Sequence, residues 1–206
     1  DTVGLRIPNH PLALELLRIF KVLGGKGVAA PSANRFGAVS PTAASAVQEE
    51  LGEYLSADDL ILDGGSSEVG IESTIINCTT DSPEIIRPGF ITPQMVEEST
   101  GLKSNYAKTD MKVSGNLESH YAPKAKVIID RDPQHGEGFI ALSEIPTPEG
   151  AIRLSSPVTT EEFARDLYAA LRLGDLKELK TIVVTAPTGG GLAEAISDRL
   201  GKAANS

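Results

Sequence analysis

The chain has 206 residues, 40% hydrophobic and 23% charged, enough for one large or two small globular units. No apolar run reaches the length of a membrane span, so no membrane association is expected. The net charge of −9 is uneven, with 6 basic against 14 acidic residues over 1–100, which argues against stable direct binding to a nucleic acid.

The opening stretch has neither a basic nor an apolar leader region and reads as a start inside a fold. Residues 2–7 read as a short strand. Pro11 then opens a helix to about Leu23, with Leu12, Leu14, Leu16, Leu17, Ile19 and Phe20 as its apolar positions, and Gly24 and Gly25 end it. Residues 27–31 read as a short buried strand followed by a polar stretch. Ser40 and Pro41 mark a helix to about Leu51. Residues 60–63, 73–78 and 84–89 read as strands, and Thr92-Pro93 opens a short helix to about Ser99. The single cysteine, Cys78, excludes an intramolecular disulfide. Following an apolar run, it reads as a small buried residue, compatible with a reducing cytoplasm. Strands mixed with helices predict an α/β fold. Strands that follow one another without helices predict a mixed sheet.

Residues 101–125 are polar and basic with no clear period and read as a linker between a first domain, 1–100, and a second, 126–206. In the second, 126–130, 138–142 and 151–155 read as strands. Thr159 with Glu162 forms a capping box for a helix to about Leu173. A strand at 181–186 and a terminal helix at 190–200 complete a small α/β unit.

The polar stretch places Ser32 and Asn34 in a small-residue loop between a strand and a helix start. Hydroxyls and free N–H groups there can hold phosphate oxygens, although such residues also punctuate ordinary loops. Ser73 and Thr74 are hydroxyls at a strand entrance. Glu68 and Glu72 form a possible acid/base pair, but a solvated loop explains them better. Arg87, beside Pro88-Gly89, and Arg6, between two apolar residues, suit planar anions; an ordinary salt bridge serves either equally well. The spacing of His10, His120 and His135 matches no metal motif. The Gly189–Gly191 turn reads as a plain helix entry rather than a phosphate site.

Each of these signals is weak alone, but their order is distinctive. The segments 30–42 (APSANRFGAVSPT), 60–65 (LILDGG), 68–75 (EVGIESTI), 85–93 (IIRPGFITP) and 119–123 (SHYAP) together resemble the YrdC/Sua5 family, as does RIPNHP at 6–11. The SHYAP segment and the second domain resemble the longer, Sua5-type form. The resemblance implies a partial YrdC-like mixed, twisted sheet domain, a linker and a small C-terminal α/β Sua5 domain.

It also implies an activity: formation of threonylcarbamoyl-AMP and pyrophosphate from L-threonine, bicarbonate or CO2, and ATP with Mg2+. The product would serve the tRNA threonylcarbamoyl transferase machinery in the cytoplasm. By motif match, Ser32 and Asn34 resemble half of a catalytic Lys-x-Arg plus Ser-x-Asn tetrad. Thr2, Ser32, Ser40 and Arg87 resemble ATP contacts. Arg6, Ala30 and Ser73 resemble threonine contacts. Ser119, His120 and Tyr121 resemble a segment that folds over the pocket. The Lys-x-Arg half has no counterpart here, and 114–116 replaces the usual Pro-Gly-Met. The chain alone is therefore expected to be inactive, with exposed strand edges. The alternative reading is an RNA-binding module without catalysis.

Overall fold

The computed structural model describes residues 2–107 and 121–205. Helix α1 spans Pro11–Val22, with proline where the first-turn N–H has no partner. Helix α2 spans Ala44–Leu51, three residues beyond the expected Pro41 start. Strands β1 (Ile75–Asn77) and β2 (Glu84–Arg87) pair antiparallel. Helix α3 (Pro93–Thr100) is capped by the Thr92 hydroxyl, which accepts from the Met95 N–H. Strand β3 (Asn105–Tyr106) then pairs parallel to β2, so the sheet is mixed as expected. β3 lies in the stretch read as linker.

Three expected strands do not form. Residues 2–7, 27–31 and 60–63 are irregular, and none of them pairs with another strand among the described residues. A β segment is stable only when its backbone groups and one face meet a partner. Here Val3 is 78% and Ile7 92% exposed. Nor is any residue of α1 buried, despite its apolar stripe. Cys78 is also exposed, because it leaves the sheet just after Asn77 turns inward.

The C-terminal unit has its own core. Strands β4 (Lys126–Ile129), β5 (Gly138–Ile140), β6 (Ile152–Ser155) and β7 (Thr181–Val184) form a parallel sheet in the order β4-β7-β5-β6. Parallel strands need both faces covered. Val127, Ile140, Leu154, Ile182 and Val184 pack with helices α4 (Thr160–Leu176) and α5 (Leu192–Ala204). On the other face Phe139, Ala141 and Val183 meet Ile145 and Ala151. Arg153 closes that side, its guanidinium 5.0 Å from the Phe139 ring centre. It donates to the carbonyls of Ala141, Leu142, Ile145 and Ser155. Each large apolar side chain removed from water here contributes roughly 1.5–3 kcal/mol.

Val39 and Ile71 join this same core, so the first unit is packed onto the second rather than merely tethered to it. Asp175 in α4 accepts from the backbone N–H groups of Lys124 and Ala125 at 2.9 and 3.0 Å, fixing the entry to β4. Arg172 reaches back from α4 to the Val39 carbonyl and to Glu50 in α2. Among the described residues no helix is long and apolar enough to cross a membrane.

The capping box forms with a shift. Thr159 accepts from the Glu162 N–H at 3.2 Å, but the Glu162 carboxylate accepts from Val158, not from Thr159. Thr159→Ala should therefore lower stability by about 1 kcal/mol, read from chemical denaturation, with the far-UV spectrum kept. An unchanged midpoint would show that the Val158 bond alone holds this end.

Candidate functional site

The loop after Pro31 is shaped by Asn34. Its side-chain amide donates to the carbonyls of Arg35 and Ala38, each at 3.0 Å, and curls the chain toward Ser40. Its Oδ1 is buried and has no hydrogen-bond partner among the described residues. Thr2 and Ser32 are exposed. Arg6 is exposed too, with one Nη 3.4 Å from the Ala30 carbonyl. Two residues assigned to one substrate by resemblance thus lie together.

A second group forms around the entrance of β1. The Ser40 hydroxyl donates to Glu72 Oε1 at 2.6 Å. Glu72 Oε2 accepts from Tyr168 Oη of α4 and from Arg199 Nε of α5, both at 2.8 Å. Arg87, only 2% exposed, donates through Nε and Nη2 to the Ser73 carbonyl at 3.0 and 2.7 Å, and through Nη2 to the Ser73 hydroxyl at 3.3 Å. Ser40, Ser73 and Arg87 come from three separate segments, and Glu72-Ser73 joins them.

The electrostatics follow from burial and pairing. Burial pushes the Glu72 carboxyl up, but the Arg199 charge and the hydrogen bonds from Ser40, Arg199 and Tyr168 outweigh it and hold the carboxyl below its ordinary value. Burial also lowers Arg87; the charges of Arg199 and Arg6 push the same way, against Tyr121 and Glu72.

Tyr121 is 1% exposed and has a left-handed backbone, φ 66°, a conformation that is strained for a bulky residue. It is held there by packing: its ring stacks on Tyr168 at 5.7 Å, and the Arg199 guanidinium lies 5.6 Å from the ring centre. Burial raises its hydroxyl to about 12, so the phenol stays protonated at neutral pH. Ser119 and His120 lie outside the described residues. Two surface hollows, one lined by Leu154, Asp166 and Leu173 and one by Lys124, Asp175 and Lys180, take in none of these residues.

Glu72 is thus not a solvated loop residue, and Tyr168 and Arg199 are support residues that motif reading missed. A signal existed for Arg199. It shares the face of Ile196, Leu200 and Ala203, at helical spacing, so an arginine stands where an amphipathic helix keeps its core positions.

Known proteins resemble this chain over both of its units. The Sua5/YciO/YrdC family model, described as telomere recombination, matches residues 1–89. The model for the threonylcarbamoyl-AMP synthase C-terminal domain matches residues 91–205. The chain is 34% identical to the threonylcarbamoyl-AMP synthase of Pyrococcus abyssi, over 98% of this chain and 64% of that protein. It is 33% identical to the Bacillus subtilis protein of the same name, over 99% and 63%. The crystal structure of P. abyssi Sua5 complexed with L-threonine matches with a TM-score of 0.77 at 30% identity, over 99% of this chain and 64% of that one. The chain therefore spans just under two thirds of the length of these relatives. With models of both parts matched in order and a Sua5 structure matching the same fold, the chain belongs to the YrdC/Sua5 family in its two-domain, Sua5-type form.

Proposed function

We propose that this chain is part of a threonylcarbamoyl-AMP synthase, which forms threonylcarbamoyl-AMP and pyrophosphate from L-threonine, bicarbonate or CO2, and ATP, for modification of a tRNA adenosine in the cytoplasm. The observation that carries the proposal is the linkage of three segments at Glu72-Ser73: Arg87 donates to Ser73, and the Glu72 carboxylate beside it accepts from the Ser40 hydroxyl. It links the candidate ATP contacts Ser40 and Arg87 to the candidate threonine contact Ser73; Arg6 and Ala30, the other candidate threonine contacts, meet each other at 3.4 Å.

In this reading the threonine amine takes up CO2, loses a proton and becomes a carbamate. One carbamate oxygen attacks the α-phosphorus as the bond to the β-phosphate oxygen breaks, and pyrophosphate leaves. No covalent enzyme intermediate is needed, so positioning and charge stabilisation are the protein's task. Arg6 binds the threonine carboxylate, while Ala30 and Ser73 shape the amino-acid pocket. Thr2, Ser32, Ser40 and Arg87 hold ATP, and Asn34 fixes the loop that carries Ser32. Among the described residues no group of three His, Cys, Asp or Glu is placed to hold a metal ion. In this reading Mg2+ comes with the triphosphate of ATP, whose charge it balances. Ser119, His120 and Tyr121 belong in this reading to the segment that shields a labile acyl-adenylate from water; of the three, Tyr121 lies within the described residues, packed on Tyr168 and Arg199.

The test is pyrophosphate release by the full-length protein that requires threonine, bicarbonate and ATP together. Release without threonine, or a salt-dependent RNA shift without release, would refute the proposal. Arg6→Ala should raise the KM for threonine about tenfold or more and leave that for ATP within about threefold, since one charge-assisted contact is lost. An equal rise for both substrates would remove Arg6 from the threonine side. The 206-residue chain alone should show no turnover, because Val3, Leu5, Ile7 and most apolar side chains of α1 are exposed to solvent and the sequence holds no Lys-x-Arg to complete the tetrad.

A further inference from the structure

We infer that Arg199, in the last helix of the C-terminal unit, is a positioning residue for the site in the first unit: one guanidinium registers Ser40, Ser73 and Arg87 through the groups next to them. The inference rests on the functional reading above and assigns the C-terminal unit a part in it.

The geometry is specific. Arg199 Nε donates to the Glu72 carboxylate at 2.8 Å, and that carboxylate is the acceptor of the Ser40 hydroxyl at 2.6 Å. Nη2 donates to the Glu72 carbonyl at 3.4 Å and to the Pro88 carbonyl at 2.9 Å. Glu72 precedes Ser73, and Pro88 follows Arg87. The guanidinium therefore bridges the residues flanking both candidates at the site ends of β1 and β2. Nη1 is taken by Asp198 on the same helix, which in turn binds Lys202 at 2.7 Å, so the fork cannot swing away without losing a second ion pair. The Arg199 side chain is 0% exposed. A planar fork with fixed donor directions suits this task, and a lysine ammonium cannot reproduce it.

A charge consequence follows. The Ser40 hydrogen is committed to Glu72 in this structure. A phosphate at Ser40 would compete for it and would meet a carboxylate next door. Arg199 supplies the positive charge that makes an anion tolerable beside Glu72. Arg199 touches no substrate in this reading; it acts through Glu72 and Pro88.

The experiment is steady-state kinetics of full-length Arg199→Lys, with Arg153→Lys as the control. Arg153 is the other guanidinium that holds several carbonyls in the C-terminal unit, and its hydrogen-bond partners among the described residues all lie in that unit. Arg199→Lys should raise the KM for ATP and for threonine about tenfold or more, while the melting transition shows a folded protein. Arg153→Lys should lower the melting temperature and leave both KM values within about twofold. If Arg199→Lys keeps both KM values, or if Arg153→Lys raises them as much, Arg199 is a structural residue only and the inference falls. Wild-type protein without threonine-dependent turnover would overturn the functional reading and this inference together; normal wild-type turnover with unchanged variant constants would overturn this inference alone.

Discussion

Arg199→Met should destabilise the folded chain by about 3–5 kcal/mol, because it leaves a buried carboxylate without its cation. The Arg199 side chain is fully buried and that of Glu72 only 18% exposed, so solvent screens the pair weakly. Methionine fills much of the same volume, which keeps the cavity small and isolates the charge effect. The carbonyls of Glu72 and Pro88 lose their donor as well. Combining Arg199→Met with Glu72→Gln should restore part of the loss, since an amide carries no charge to strand. Chemical denaturation reads both variants. A loss below about 1 kcal/mol in the single variant, or no recovery in the double, would contradict the pairing.

The pH dependence gives a second view of the same pair. In the wild type Glu72 is held below its ordinary value of 4.5. It therefore stabilises the fold above that pH, and the contribution is lost as pH falls through the lower folded value. In Arg199→Met, burial remains while the main opposing charge is gone, so the carboxyl should titrate above 4.5 in the folded state. The sign then reverses: the variant regains stability as Glu72 takes up a proton. The wild-type and variant stability curves should separate at neutral pH and converge in acid. Parallel curves from pH 7 down to pH 3 would show that Glu72 is not the group responsible.

The contrast between sequence and structure has physical causes. Helices α1, α3, α4 and α5 were legible because an amphipathic period and a terminal Pro, Thr or Gly are local signals. The strands of the C-terminal unit were legible because the partners that bury them are in the same 80 or so residues. Residues 2–7, 27–31 and 60–63 have the same apolar character but pair with nothing described, and so do not become strands. β3 escaped notice for the opposite reason: Asn105 and Tyr106 carry no strand pattern, and their conformation comes from lying alongside Glu84 and Ile85. In the site, the motifs pointed to Ser40, Ser73 and Arg87 one at a time. What joins them, Glu72 with Arg199, is separated by 127 positions, and no local pattern reports a pairing at that distance.

Gly70→Ala should cost about 2–5 kcal/mol and loosen the contact between the two units. Gly70 has φ +79°, and a Cβ there would lie 2.3 Å from the Arg165 Cα and 2.5 Å from the Ala164 carbonyl oxygen. Both obstacles are backbone of α4, which cannot swing aside as a side chain can, so the first unit must move instead. The left-handed conformation contributes about 1–2 kcal/mol and the overpacking about 1–3 kcal/mol. Tyr168 stands one turn beyond Ala164 on the same helix, and its hydroxyl reaches Glu72, two residues after Gly70. The close approach at Gly70 therefore sets the distance at which Tyr168 and Arg199 meet Glu72. Gly101→Ala separates the two contributions, because Gly101 has φ +72° with nothing within 4 Å of the added Cβ. That variant should lose only the conformational part, about 1–2 kcal/mol. In Gly70→Ala, limited proteolysis should also cut the first unit while the parallel-sheet unit survives. Equal losses in the two variants, with the same digestion pattern, would mean that α4 does not press on Gly70 and that the register of the site is set elsewhere.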